Sequence, residues 1–530
     1  MTPDDAGRRH SLVRRPGLAL AALCLAALIL SLDITIVNVA LPDLVRQIGA
    51  TATDLQWVVD AYNLVFAALV LVAGSLSDRM GRKGMLLAGL GVFGAASLLG
   101  SSAHSAGELI GARAVMGLGA AMMFPSTLSL ITSLFTERRE RARGIGLWGA
   151  SAGVGIAVGP IVGGWLLEQF WWGSIFVFMA PAAAVVMAGV ATAVPTSRDP
   201  GTPPTDWRGL TLSAAGMGLL VFGVIQAPDW GWGSAAAIAA MAGGGGVLAG
   251  LIATERASAH PMIDIRLFRN PRFTAASGAV AIALFALLGF IFVMTQYFQV
   301  VKAFSPLNAG VRLLPAAVAV ALASVAGTRL ALRIGNKLVV SSGLALFGVA
   351  LLWTARDVQA TSFAVIGLQE VVLGAGLGLT QAPAAESILG AVPAEQSGVA
   401  SAVNAATRLF GGTLGVAVIG SISASLYASR LLTTLPPRLP AGLVATAKGS
   451  VGGASVAARA LSSAGLHTVA RELDRAAVQA FEHSIRYACP VASGVALGGL
   501  LMVAFLLPGR PHADDSEPGT ASAEIAGVTR

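Results

Sequence analysis

Long apolar runs separated by short polar stretches recur along the whole chain, and none alternates with the period of two that marks a half-buried strand. A membrane-crossing helix needs about 20 mostly apolar residues. About fourteen stretches meet that requirement: 17–40, 55–76, 84–103, 107–133, 144–168, 173–194, 208–228, 234–254, 273–298, 306–328, 338–355, 361–384, 398–426 and 484–508. The pattern predicts an all-α polytopic membrane protein, because continuous runs exclude a closed β-barrel. Gly and Ala punctuate the runs, and such small residues let helices approach closely in lipid.

Composition agrees with this reading. The 530 residues are 55% hydrophobic and only 12% charged, against about 25% charged in soluble domains, and mean hydropathy is +0.75. The net charge of +8 is explained by topology, since loops rich in Lys and Arg stay on the cytoplasmic side. Placing both termini inside gathers Arg8, Arg9, Arg14 and Arg15, then Arg79, Arg82 and Lys83, then Arg138, Arg139, Arg141 and Arg143, on the inner face. Arg198, Arg208, the stretches 256–272 and 329–337, and Arg510 follow on the same side. The segment 427–483 also carries several basic residues but reads as a long outer loop, partly helical near Val478–His483, because long loops cross largely regardless of charge. Nucleic-acid binding is not expected from a charge distributed in this way.

The run after Arg14 and Arg15 lacks a convincing cleavage site and reads as an uncleaved first helix. Cys24 and Cys489 fall inside predicted spans, and the six histidines have no metal-ligand spacing, so no metal site is expected. The formal G-x-G-x-x-G at Gly89–Gly94 lies within a span with no preceding strand, and the dinucleotide reading fails. No P-loop is present. An enzyme is not expected, and uphill transport would need an ion gradient and no cofactor.

Ionisable residues inside spans are costly and therefore candidates for function. Asp33 in the first span lies roughly 24 Å from its inner end at about 1.5 Å per residue, and Asp60 in the second and Arg113 in the fourth reach a similar level. Glu370 and Arg408 form a second set that could pair. Asp60 could alternatively be a wetted helix-end residue, and Asp33 a structural hydrogen-bonding group. Tyr62, Phe66, Phe290, Gln296, Tyr297 and Gln299 could contribute apolar and neutral polar contacts to a ligand. In the fifth span, Gly155, Gly159 and Gly163 form one helical stripe beside Pro160 and Gly164, which suits close packing or a hinge.

GSLSDRMGRKG at 74–84 holds Gly74, Asp78, Arg79, Gly81, Arg82 and Lys83 between the second and third spans. It resembles the corresponding loop of the major facilitator superfamily. LDITIVNVALP at 32–42 resembles the first-helix motif of that superfamily's fourteen-helix drug:proton antiporters, the multidrug-efflux branch. RAVMGLGA at 113–120 is similar to its fourth-helix motif and GIAVGPIVGG at 155–164 to its exporter motif, with weaker likeness at 304–315 and 397–417.

The resemblance implies two six-helix bundles, 17–194 and 261–508, joined by two inserted helices in 195–260, with a cytoplasmic segment 1–16 and a disordered cytoplasmic tail 509–530. It implies a gating latch at Asp78 and Arg82 and a proton-transfer role for Arg113, to which the ionisable residues inside spans add Asp33, Asp60, Glu370 and Arg408 as proton-coupling candidates. The function expected is export of small amphipathic, drug-like or antibiotic compounds in exchange for protons, by alternating access, from a monomer in a bacterial cytoplasmic membrane. The alternatives are a dedicated exporter or symporter of one metabolite, or a scaffold or channel in which the buried charges are structural.

Overall fold

The computed structural model describes residues 16–508 except 136, 199–205, 259–264, 360–361, 393–396 and 436–438. The basic N-terminal segment, the polar tail and the residues His10, His260 and His512 lie outside the described residues. The described residues include fourteen helices long and apolar enough to span a membrane.

The first half comprises α1 (Pro16–Ile48), α2 (Ala52–Met80), α3 (Arg82–Ser101), α4 (Ala106–Leu134), α5 (Arg138–Gln169) and α6 (Ser174–Ala193). Next come α7 (Trp207–Trp230) and α8 (Ala235–Ala257). The second half comprises α9 (Pro271–Gln296), α10 (Pro306–Arg312), α11 (Leu314–Ile334), α12 (Asn336–Arg356), α13 (Phe363–Leu389), α14 (Ser397–Thr434), α15 (Ala441–Gly449), α16 (Val451–Ser463) and α17 (His467–Leu506). Short polar caps begin several helices. Thr51 and Asp54 form a capping box that satisfies orphan amides at the start of α2.

The two halves pack their helices in the same order. α1 packs on α5 as α9 packs on α14, α2 on α4 as α11 on α13, and α3 on α4 and α6 as α12 on α13 and α17. Glycines set these approaches. A Cβ on Gly119 would meet the Gly89 carbonyl at 2.9 Å and the Phe93 amide at 2.8 Å; one on Gly376 would meet the Gly343 carbonyl at 2.7 Å and the Phe347 amide at 2.6 Å. Gly155 and Gly159 similarly abut the carbonyls of Leu28 and Leu32, as Gly411 and Gly415 abut those of Ala281 and Phe285.

This repeat matches Arg113, four residues before Gly117 on α4, with Glu370, four before Gly374 on α13. It also matches Asp33, next to Leu32, with Ala286, next to Phe285. The two halves therefore share a scaffold but not its charges.

The halves meet at the end opposite Gly81. Gln299 Nε2 on the turn after α9 donates to the Val39 carbonyl at 2.9 Å, and Ser421 Oγ donates to Gln56 Oε1 at 3.1 Å. A Cβ on Gly164 would meet the Leu307 Cα at 2.5 Å, and Gly310 abuts the Pro160 carbonyl. α7 closes one side of the seam, with Val221, Val224 and Ile225 against Ala417 of α14 and Trp57 of α2. The main core runs from the first half into Phe290–Phe298 of the second, whereas Phe273–Val280, Val340, Leu344 and Ile388 form a separate core near Gly335 and Arg272. The molecule is thus sealed at one end, and the halves part toward the end carrying Gly81, Arg143 and Arg333.

The segment expected as a long outer loop is mostly helical. α14 continues to Thr434, α15 and α16 form a hairpin, and α17 begins at His467, well before its apolar run. Buried alanines drive this, with Ala454, Ala457, Ala470, Ala476, Ala477 and Ala480 forming small-residue faces between α16 and α17. Polar residues between these positions hid the helices from a search for continuous apolar runs.

Candidate functional site

The stretch 74–84 contains a turn of one residue. α2 runs through Met80 and α3 starts at Arg82, with Gly81 at φ +122°, a backbone region that L side chains rarely adopt. Asp78 Oδ1 accepts from Arg82 Nε at 2.6 Å across this turn. Arg82 also grips the chain after α6, through Nη1 to Ser197 Oγ at 3.1 Å and its amide to the Ser197 carbonyl at 2.9 Å. Lys83 Nζ donates to the Ala191 carbonyl near the end of α6 at 2.8 Å. Gly74 sits against the Pro125 ring of α4, Gly84 has open space, and Arg79 is exposed. The cross-helix contacts come from Arg82 and Lys83 and tie α2 and α3 to α6, within one half.

Arg113 and Asp33 form an ion pair, Nη1 to Oδ2 at 2.7 Å, with both side chains 1% exposed. Arg113 Nε donates to the Val58 carbonyl at 3.1 Å, and its guanidinium lies over the Tyr62 ring at 4.3 Å. One cation therefore joins α4, α1 and α2. Close approach permits this, because a Cβ on Gly117 would meet the Tyr62 carbonyl at 2.5 Å. Asp60 is fully buried, so it is not a wetted helix-end residue, and neither carboxyl oxygen has a hydrogen-bond partner among the described residues.

From Tyr62 an aromatic ladder runs toward the open end: Tyr62–Phe66 at 5.9 Å, Phe66–Phe124 at 5.8 Å and Phe124–Trp148 at 5.3 Å between ring centroids. Trp148 on α5 is half-buried and donates to Thr127 Oγ1 at 3.1 Å. Sequence reading missed Phe124 and Trp148, whose spacing relative to Tyr62 and Phe66 crosses three helices.

The expected pairing of Glu370 with Arg408 does not form. Neither residue joins an ion pair among the described residues. Glu370 is 3% exposed and faces α9, lining a cavity with Phe290, Met294 and Tyr297, while Arg408 is half-buried three residues before Gly411 on α14. The six ligand-contact candidates are also dispersed. Tyr62 and Phe66 belong to the aromatic ladder, Phe290 and Tyr297 line the Glu370 cavity, and Gln296 bonds its own helix at the Phe292 carbonyl. Gln299 makes the seam bond to Val39 and borders a separate cavity of about 380 Å³ beside Arg46, Phe304 and Arg459.

In the exporter-like stretch, Gly155, Gly159 and Gly163 pack on Leu28, Leu32, Thr35 and Ile36 of α1, while Pro160 and Gly164 face α10 across the seam. The stripe serves packing within one half, and the Pro-Gly pair meets the other half.

The Major Facilitator Superfamily model matches residues 23–416. The chain belongs to this superfamily. It is 37% identical over 495 residues, 92% of this chain and 96% of the relative, to the multidrug efflux pump LfrA of Mycolicibacterium smegmatis. It is 34% identical to the methyl viologen resistance protein SmvA of Salmonella typhimurium, over 84% of this chain and 90% of that protein. The fold resembles a bacterial homologue of the human lysosomal transporter Spinster in an inward-facing, unoccupied conformation, with TM-score 0.67 and 16% identity over 94% of this chain and 99% of that one. The superfamily chain described here is a multi-pass secondary transporter of the multidrug-efflux branch, not an enzyme.

Proposed function

We propose that this transporter exports small amphipathic, drug-like compounds in exchange for protons by alternating access, as a monomer with both termini cytoplasmic. The basic loops at the open end support that orientation, so the conformation described is inward-facing. The seam between the two halves of one chain supports a monomeric transport unit.

The observation that carries the proposal is the Arg113–Asp33 pair beside the unpartnered Asp60. A buried carboxylate without a partner is costly as an anion, which makes Asp60 a candidate proton acceptor, while Asp33 is neutralised through its ion pair with Arg113. Proton binding to Asp33 weakens its hold on Arg113, which also secures Val58 and Tyr62 of α2. α1 and α2 also provide the seam acceptors Val39 and Gln56, so a charge change in this layer acts on the elements that close the outer end. The ladder ending at Trp148 offers flat apolar faces and aromatic π-surfaces, which favour amphipathic and cationic ligands. The helix packing supports a division into two six-helix bundles and an inserted pair, with α7 against α2 and α14 and α8 packed on α7.

The name of LfrA, a multidrug efflux pump, favours several substrates. A relative named the tetracenomycin C resistance and export protein, from Streptomyces glaucescens and 31% identical, favours the second reading, dedicated export of one antibiotic. Proteoliposomes with an imposed pH gradient test both. Wild-type protein should accumulate ethidium and methyl viologen only with the gradient, and Asp33→Asn should not. Transport of a single compound class would select the dedicated reading, and gradient-independent transport would exclude proton exchange.

A further inference from the structure

Glu370 has no cation and no hydrogen bond among the described residues, yet it occupies the position that holds Arg113 in the first half. The partner position Asp33 is replaced by Ala286, so Glu370 cannot repeat the ion pair of the first half. It lies two helical turns from the outer start of α13.

A cavity of about 10 Å³ adjoins it, lined by Phe290, Met294, Tyr297, Thr354, Asp357 and Gln369 among others, all from the second half. That volume accommodates about one water. Gln369 Nε2 is buried without an acceptor, which gives such a water a polar partner besides Glu370. Asp357, at the other side of the cavity, is exposed on the outer face and accepts from Trp353 Nε1 at 2.8 Å. The lid is Tyr297, whose hydroxyl donates to the Val358 carbonyl and which starts a π-helical turn, Tyr297–Val301, at the end of α9. Gln299 on this turn makes the seam bond to Val39, which links the lid to the outer closure.

We propose that Glu370 is a second proton-binding site with its own entrance from the outer face, passing Asp357 and the Tyr297 lid within the second half and separate from the cleft between the halves. This rests on the proton-exchange reading above. The other titratable or charged groups around it are Tyr297 on α9, Asp357 after α12, Arg408 on α14, Arg312 on α10 over Phe363, and Lys302 and Glu482 near the mouth. None forms an ion pair with Glu370. The proton leaves the Asp357 carboxyl for one water, which passes a proton to a Glu370 carboxylate oxygen, so that each O–H bond formed is matched by one broken and no other bond changes.

Glu370 should therefore titrate with external pH while the protein faces inward. The test uses the full chain in uniformly oriented proteoliposomes, with Gln56→Cys and Ser421→Cys, whose native side chains meet across the seam, joined by a short thiol cross-linker to hold it closed, and Cys24→Ser and Cys489→Ala to remove native thiols. The infrared carbonyl band of the protonated acid is assigned by its loss in Glu370→Gln or, should that variant fold poorly, by its shift in frequency in Glu370→Asp. The band should follow the pH on the face bearing Asp357, and Asp357→Asn should slow that response. A band that follows the pH of the face bearing Gly81, or responds to neither, overturns the proposal. Proton-coupled dye transport by the uncrosslinked wild type is scored separately, so failure of proton exchange itself is distinguishable.

Discussion

Arg113 and Asp33 are joined at 2.7 Å with both side chains sealed from solvent. Removing one partner from a buried pair leaves the other uncompensated, at a cost of about 3–5 kcal/mol. Arg113→Ala should therefore lower thermal stability markedly, and Arg113→Ala with Asp33→Ala should recover part of it. Additive losses in a detergent unfolding cycle would argue against coupling.

Asp60 gives the opposite expectation. Its two oxygens are buried without hydrogen-bond partners among the described residues, so Asp60→Asn breaks no hydrogen bond and should change stability by less than about 1 kcal/mol. A large fall in melting temperature would mean that the carboxylate is ionised and paired. Transport by the same variant should lose pH dependence if Asp60 exchanges a proton during the cycle.

At the end carrying Gly81, Arg82→Ala removes the bridge from Asp78 to Ser197. Expression and membrane insertion should persist, because Arg79 and Lys83 still mark the loop, while efflux falls. Asp78→Asn should act in the same direction. Normal efflux by both variants would leave the stretch with a topological role alone.

Gly310→Ala would drive a methyl group into the Pro160 carbonyl. The outer seam should then close poorly, read as faster labelling of a Ser305→Cys reporter by an impermeant thiol reagent in a background without native cysteines. Unchanged labelling would show that α10 shifts to accommodate the methyl.

Glu370→Ala and Arg408→Ala should have additive effects on transport, since the two side chains form no ion pair. A charge swap should rescue neither. Rescue in a dye-efflux assay would require that they meet in another conformation.

The helices were legible from sequence because each apolar run, such as 84–103, had to satisfy its own backbone in lipid. Asp33, Asp60 and Arg113 were also legible, since helical rise alone puts them at one depth. Their relationship was not: depth did not reveal that Arg113 reaches Asp33 while Asp60 has no partner. The same depth argument set Glu370 beside Arg408, but rotation about the helix axis turns Glu370 toward α9. The repeat offered a signal that went unused, in the matched spacing of Arg113 to Gly117 and Gly119 and of Glu370 to Gly374 and Gly376. The α15–α16 hairpin escaped because its contacts are small alanine faces in a polar stretch.

α17 is 40 residues long, about 60 Å at 1.5 Å per residue, roughly twice the thickness of a hydrocarbon core. Its first turns pack on α16 and precede its apolar run, and that excess length projects beyond the core like a mast. A transporter that is otherwise almost all embedded thus offers an antibody fragment a firm external handle. Bound there, such a fragment would break the pseudo-symmetry that hinders particle alignment and could be raised without touching the transport path.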